Sequence, residues 1–483
     1  MADTIELTPM SRVRFGLSRR DITPPVGIYH PLWGAARHHQ ATGIHRPLTA
    51  EIMAFGDAGN DKMKPFVRVD MDASGFVDPE YYEILVNAVC DGANVLPGQV
   101  ILAVSHTHAA CFPVKNRLDL PGGELIEPYI HDIADQLRGG AQTAVEGMQE
   151  ASIAYATGRC NMAGNRDYWD AEFNGFTCGY NPDVEADDTV VIARVTNLAG
   201  KNICNVVNYA CHPTTLAWDN TLISPDFVGA MREVVERETD APCVFAQGAC
   251  GDLGPRDGFV GDTEVADRNG RQLGFAALSA LASLGEPETD FRYQGPVISG
   301  ATLGTWAYVE ATGVRMTTAS QFAGGLFSVN LPYIDLPTIE ELNARIDAWR
   351  KKQRLADDNG DTIAARDAGA QAERAFRWAG KLVDLPEGNT YSMDFSVLRM
   401  GDAVWVTTGG EPYNAIQREL RARFPGVTIV FSPLVGPMNV GYLLVEECYG
   451  KGLYQEQPSV LAKGCLETLT EAVAEKIASV LGA

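Results

Sequence analysis

Histidine and positive charge are both scarce in this 483-residue chain: eight histidines, and 39 Lys and Arg against 62 Asp and Glu, for a formal net charge of −23. A surplus of that size repels phosphate backbones and anionic lipid surfaces, which argues against nucleic acid as a partner. No stretch approaches the roughly 18 consecutive apolar residues of a membrane helix, so stable membrane insertion is not expected. The opening segment "MADTIELTPMSRVRFG" has neither a basic nor an apolar leader region, which reads as a cytoplasmic protein. The ten cysteines form no CxxC pair. They fall inside apolar strand-like runs (Cys204, Cys243) or beside strand ends (Cys111, Cys211, Cys250), the placement of buried reduced thiols and not of a disulfide framework. Low-complexity tracts and internal repeats are lacking as well.

What is present is an ordinary globular balance, 46% hydrophobic and 21% charged, long enough for one large unit or about three average domains. Apolar runs bounded by turn residues predict strands at 52–56, 65–71, 100–104, 189–197, 202–210, 242–247, 403–408 and 427–434. Helix starts are legible between them. Asp78 followed by Pro79 and Ser224 followed by Pro225 each join a capping side chain to a proline whose missing N–H costs nothing in a first turn. Thr338 with Glu341 has capping-box spacing, and "DDNGD" (357–361) separates two charged helices, so residues 338–384 predict an inserted helical hairpin. Irregular alternation of strand and helix predicts an α/β fold, with a subdomain junction near residue 288 where helix gives way to short β signals.

The chemistry collects where the predicted strands stop. "VILAVS" runs into His106 and His108, "NVVNYAC" into His212, and "CVFAQGACGDLGP" into a glycine-rich turn with Asp252. "VWVTTGG" runs into Glu411, and "VFSPLVGPMNVG" into Tyr442. Ligands of open α/β sheets sit at the carboxyl ends of strands, because loops there vary without disturbing the core. Five such ends suggest one shared cleft. Two imidazoles, a carboxylate and a phenol form a donor set that zinc accepts. An isolated HxH is more often two inert hydrogen-bonded histidines closing a strand. If the strand pattern continued, i and i+2 would face the same side about 6.6 Å apart, letting one ring ligate while the other meets substrate.

Nine segments in order then resemble a known family: "DITPP" (21–25), "TGIHRPLTAEIMAF" (42–55), "VSHTHAA" (104–110), "GNRDYW" (164–169), "NYACHPTTL" (208–216), "SPDFVG" (224–229), "FAQGACGDLGP" (245–255), "GGEPYN" (409–414) and "GYLLVEECYGKGLYQE" (441–456). Together they are similar to the catalytic domain of the neutral, non-lysosomal ceramidases. The resemblance implies one large catalytic domain over residues 1–483, of mixed β-sheets sandwiched by helices, without the C-terminal immunoglobulin-like domain. It implies one catalytic Zn²⁺ held by His106, His212, Glu411 and Tyr442, and hydrolysis of an amide, or less readily an ester, by activated water. His108, Arg166 and Tyr454 would act on the substrate carbonyl and its protons; Gly254 and Asp252 would lie at the substrate, and Asp252 and Asp21 would also brace turns.

Two departures redirect the substrate expectation. Gly254 stands where the ceramidases carry a serine implicated in catalysis, and Ala109, Ala110 and Cys111 replace a serine and glycines after the HTH. The expected substrate is therefore a small molecule, smaller and more soluble than ceramide. The alternatives are a catalytically silent binding or scaffold relative, which Gly254 favours, and a cysteine hydrolase using Cys111 or Cys250. Oligomeric state is left open, a homo-oligomer included.

Overall fold

The computed structural model describes residues 4–482, and its layers follow from which faces of each element are apolar. An eight-stranded sheet runs in the order Cys243–Gln247, Asn202–Tyr209, Thr189–Asn197, Gln149–Arg159, Met10–Asp21, Thr49–Asp57, Phe66–Met71 and Val100–Val104. Its centre is antiparallel; the outermost strand at each edge is parallel to its neighbour. All eight strands expected from the apolar runs form within a few residues of their predicted limits.

Two helices cover one half of this sheet. Pro79–Ala93 begins at Asp78, whose side chain accepts from the Glu80 amide. Ile126–Glu146 buries Ile126, Tyr129, Ile130, Ile133, Ala134, Leu137, Ala141 and Ala144, a stripe at helical spacing. Each large aliphatic in that stripe contributes roughly 1.5–3 kcal/mol by leaving water. The helix lies so close that a Cβ on Gly16 would meet the Ala144 carbonyl oxygen at 1.9 Å. Helices Phe227–Thr239 and Thr263–Leu281 cover the other half. The first of these starts later than its Ser-Pro signal predicts. Asp226 caps it, accepting from the Phe227 amide, while Ser224 receives the Asp226 amide and shapes the approach.

After Glu288 the chain leaves the large sheet. Thr289–Ser299 and Ala301–Glu310 form a hairpin, and Phe322–Pro332, Thr390–Met400, Ala403–Thr408 and Thr428–Ser432 form a second, four-stranded sheet. The two sheets pack face to face through Phe15, Phe55, Leu398, Met400 and Trp405, and helix Cys465–Leu481 covers the outer face of the second. The architecture is thus mixed β-sheets between helical layers. Arg68 is buried at the sheet interface, with a bidentate pair to Asp70 at 2.6 Å and a bond to Ser432 Oγ at 2.9 Å. Deleting one partner would strand a buried charge, at a cost of about 3–5 kcal/mol.

Two connections determine where the site falls. Asn208 Nδ2 donates to both Ala246 O and Phe431 O at 2.9 Å, and Ala103 bridges Val435. The large sheet therefore curls until both of its edges meet the segment 428–435. Between Phe322–Pro332 and its antiparallel neighbour Thr390–Met400 lie paired helices Ile339–Asp358 and Thr362–Asp384, the first opened by the Thr338–Glu341 capping box. This helical hairpin is fastened across the strand ends. Arg117 pairs with Glu373, Arg377 donates to Leu32 O at 2.7 Å, and Lys381 donates to Pro458 O at 2.8 Å. Among the described residues, no helix is long and apolar enough to cross a membrane.

Candidate metal centre

His106 follows the edge strand Val100–Val104, and His212 follows Asn202–Tyr209, at the opposite end of the sheet order. Curling brings the two together, with ring centroids 4.8 Å apart. His106 lies outside the strand at φ +68°, a left-handed conformation that costs a non-glycine residue about 1–2 kcal/mol and clusters at functional sites. The His-Thr-His pair accordingly does not continue the strand pattern. A turn, not pleat alternation, points both rings into one cleft, with Nε2 atoms 3.3 Å apart.

Each buried imidazole is oriented from behind. His106 Nδ1 bonds Ser74 O at 2.5 Å, and His212 Nδ1 bonds Cys250 O at 2.7 Å. A carbonyl only accepts, so both protons sit on Nδ1 and both Nε2 atoms present lone pairs to the cleft. Glu411 and Tyr442 arrive as register partners in a short parallel pairing of Glu411–Pro412 with Tyr442–Leu443. Glu411 Oε2 lies 3.1 Å from His212 Nε2 and 3.5 Å from His106 Nε2, and the Tyr442 hydroxyl lies 3.4 Å from His212 Nε2. A tetrahedral ion with bonds near 2.0–2.1 Å would space its ligands about 3.3 Å apart. The lone pairs of a carboxylate and two imidazoles repel at such range unless a cation lies between them. The donor set therefore fits a divalent cation on charge and on these three spacings.

Protonation agrees. Burial holds His212 down to about 3, helped by Arg166 and opposed by Glu411. Burial, with His106 and His212 beside it, likewise holds His108 well below the usual imidazole range. Burial pushes Glu411 up, whereas His106 and His212, acting as donors and positive charges toward it, hold it well below the usual carboxylate range; with both Nε2 atoms bare, a cation between the three groups would take over that part. Burial raises the Tyr442 phenol, and Arg166 pulls it back.

The surrounding residues divide by what they touch. His106, His108 and His212 form a three-imidazole group with ring nitrogens within 4.8 Å of one another. Among the described residues no carbonyl holds His108 Nδ1, and the ring packs 5.1 Å from Trp33, itself flanked by Trp218 and Phe259. It faces an aromatic wall. Arg166 is buried, places its guanidinium 5.3 Å over the Tyr442 ring, and donates twice to Gly251 O at 2.8 and 3.2 Å. Tyr454 is 44% exposed, with its ring 6.0 Å from Tyr442, at the mouth of the cleft.

The glycine-rich turn is a brace. A Cβ on Gly251 would meet Glu411 O at 2.6 Å, so this close seat requires glycine. The Asp252 carboxylate accepts from the Asn414 amide at 2.6 Å, and its carbonyl accepts from the Arg166 amide at 3.0 Å. Asp21 accepts from the Thr23 amide at 2.8 Å, closing its own turn. Gly254 differs from Gly251: a Cβ there would lie 3.7 Å from both Arg166 Cδ and Thr214 Oγ1, in ordinary contact. Cys111 and Cys250 are buried, burial pushes both thiols up to about 12, and neither bonds an imidazole.

Trp33 and Lys381 escaped the sequence reading. Trp33 is an aromatic in an irregular segment. Lys381 is one charge on a charged helix, and only the docking of the hairpin brings its amine near Glu411 and Gly441. Burial lowers its pKa to about 8, with Glu411 acting in the opposite sense.

The family model described as neutral/alkaline non-lysosomal ceramidase, N-terminal, matches residues 13–266, just over half of the chain. In fold the chain is similar to the crystal structure of the neutral ceramidase from Pseudomonas aeruginosa, with a TM-score of 0.63 and 17% identity over 99% of this chain and 75% of that one. It is similar also to a ceramidase complexed with C2, at 0.64 and 16% over 99% and 76%. No curated protein matches the sequence.

Proposed function

Because the chain belongs to the neutral/alkaline non-lysosomal ceramidase family of hydrolases, we propose that it is a zinc-dependent amidohydrolase acting on a substrate smaller and more soluble than ceramide, with His106, His212, Glu411 and Tyr442 as the metal ligands. The observation that carries this reading is the spacing of Glu411 Oε2 at 3.1 and 3.5 Å from two imidazole nitrogens whose protons are committed elsewhere. Bound there, the ion supplies Lewis acidity toward the carbonyl and lowers the pKa of water.

The protein groups do the rest. His108, neutral and held by Trp33, accepts a proton from the attacking water and returns it to the departing amine. Arg166, fixed by Gly251 O, puts permanent positive charge against Tyr442 and the developing oxyanion. Tyr454 donates a hydrogen bond to that oxygen from the mouth. The hairpin fastened over the strand ends brings Lys381, Arg374 and Arg377 as well as Trp349 and Trp378 toward this side of the molecule. The test is metal analysis of purified protein together with an amide and ester panel, run with chelator and with His106→Ala and Glu411→Ala variants. Stoichiometric zinc and metal-dependent amide cleavage, both lost in the variants, are expected; no zinc and chelator-insensitive turnover would overturn the reading.

A silent binding protein is the second reading, and Gly254 favours it, since no hydroxyl stands beside Arg166 from that turn. Equal background turnover in the unsubstituted protein and both variants would support it.

A further inference from the structure

Resting on the hydrolase reading above, we infer that the substrate carries a carboxylate near its scissile amide, and that Lys381 and Arg374 on the inserted hairpin recognise it. Both lie on helix Thr362–Asp384, seven residues or two turns apart, and so on one face, about 10 Å along the axis. Lys381 lies beside the segment that carries Tyr442: its Nζ is 3.2 Å from where a Cβ on Gly441 would sit and 2.8 Å from Pro458 O, with Glu411 acting on its charge. Arg374 shares a cavity wall with Glu456 and Gln457, which belong to the turn that Tyr454 opens. The helix therefore lays one cation beside the ligands and a second beside the cleft mouth.

Neither cation has a carboxylate within ion-pair distance among the described residues. Lys381 spends one of its three donors on Pro458 O, and Arg374 bonds only Gln371. Their neighbour Arg377, by contrast, is paired with Glu373. Arg20, Arg166, Arg194 and Arg399 likewise have no carboxylate among the described residues and donate to backbone carbonyls; Lys381 differs in keeping two of its three donors beside the strand that carries Tyr442, where a substrate anion would complete them. That cavity, of about 560 Å³ and walled by Trp349 and Trp378, is within the size range of small-molecule sites; neither Lys381 nor a metal-centre residue lines it, and it adjoins the cleft mouth through Glu456 and Gln457. Asp335, Glu341, Glu456 and a second cation, Arg345, also line it; Glu341 accepts from the Thr338 N–H, and Glu456 from those of Gly450, Gly452 and Leu453. An acyl amino acid has the required chemistry, with an anion two bonds from the amide nitrogen.

The probes are N-octanoylglycine and N-octanoylethanolamine, matched in length and differing in charge. Zinc-loaded protein is assayed for amine release and, separately, for binding by calorimetry. The expected result is a kcat/KM preference for the glycine amide of about tenfold or more. Lys381→Met should abolish that preference mainly through KM, Lys381→Arg should restore part of it, and Arg374→Gln should weaken it. Lys351→Met, on the exposed side of the hairpin, is the control and should leave it unchanged. Equal use of both amides, or a preference indifferent to Lys381→Met and Arg374→Gln, overturns the inference, as does Lys381-dependent binding to phosphatidylglycerol vesicles without binding of N-octanoylglycine. If neither amide is cleaved but N-octanoylglycine binds and Lys381→Met removes the binding, the inference stands and the hydrolase reading falls. If neither is cleaved nor bound, the inference falls.

Discussion

Glu411 and His212 lie 199 residues apart in sequence, yet Oε2 of one rests 3.1 Å from Nε2 of the other, with the His212 proton turned away to Cys250 O. Two lone pairs so placed call for a cation. Zinc added to chelated protein is therefore expected to bind once per chain and to raise the thermal midpoint. At free zinc a hundredfold above Kd the gain is about 2.7 kcal/mol. Titration calorimetry and thermal melts check this, and Glu411→Ala should reduce both affinity and the shift.

Arg166→Lys keeps the charge but not the fork that grips Gly251 O while lying over Tyr442. The expected loss in kcat is on the order of a hundredfold, with KM less affected. Steady-state kinetics beside a circular dichroism spectrum separate this from misfolding.

Gly254→Ser should fold. Its Cβ meets only ordinary contacts at 3.7 Å, and the position is not left-handed, so stability should change by no more than about 1 kcal/mol. The new hydroxyl would stand beside Arg166, and amide turnover is expected to rise. A melt and a rate measurement on one preparation decide it.

Alkylation of native protein with iodoacetamide should leave turnover intact. Cys111 and Cys250 are buried, and thiols pushed up to about 12 carry almost no thiolate at neutral pH. Loss of activity in step with labelling of either thiol would restore the cysteine mechanism.

Asp226 provides a pH test away from the ligands. Burial raises its pKa to about 6 in the folded protein, although the Leu216 and Phe227 amides bond it; the unfolded value is near 3.9. The folded state then holds the proton more tightly. Its contribution to stability is full below about pH 4 and is lost as pH rises through about 6, a change on the order of 2–3 kcal/mol. Asp226→Asn removes the titration but keeps an acceptor for only one of the two amides, because Leu216 N–H meets Oδ2 and Phe227 N–H meets Oδ1; its stability is lower throughout and its pH slope flatter. Denaturant unfolding of both proteins between pH 4 and 7 should show the steeper decline only in the unsubstituted chain.

Much of this was legible locally. Apolar runs bounded by turn residues marked the strands, Asp78 with Pro79 and Thr338 with Glu341 marked two helix starts, and strand ends marked where imidazole, carboxylate and phenol would emerge. The later start at Asp226 was not, because Ser224 and Asp226 are both good caps and only the docked geometry chooses between them. Nor was the His106 turn, since a positive φ at a histidine is imposed by packing and not by local preference.

The order of residues along the chain, by itself, determined which side chains stand at the ends of strands, because pleating and turn chemistry act over a few residues. Only the tertiary structure decided that opposite edges of an eight-stranded sheet curl to meet segment 428–435, that Glu411 pairs in register with Tyr442, and that a distant hairpin lays Lys381 beside them. The reason is range. Hydrogen-bond periodicity is written between neighbours, whereas sheet curvature and helix docking are set by the summed burial of surfaces hundreds of residues apart.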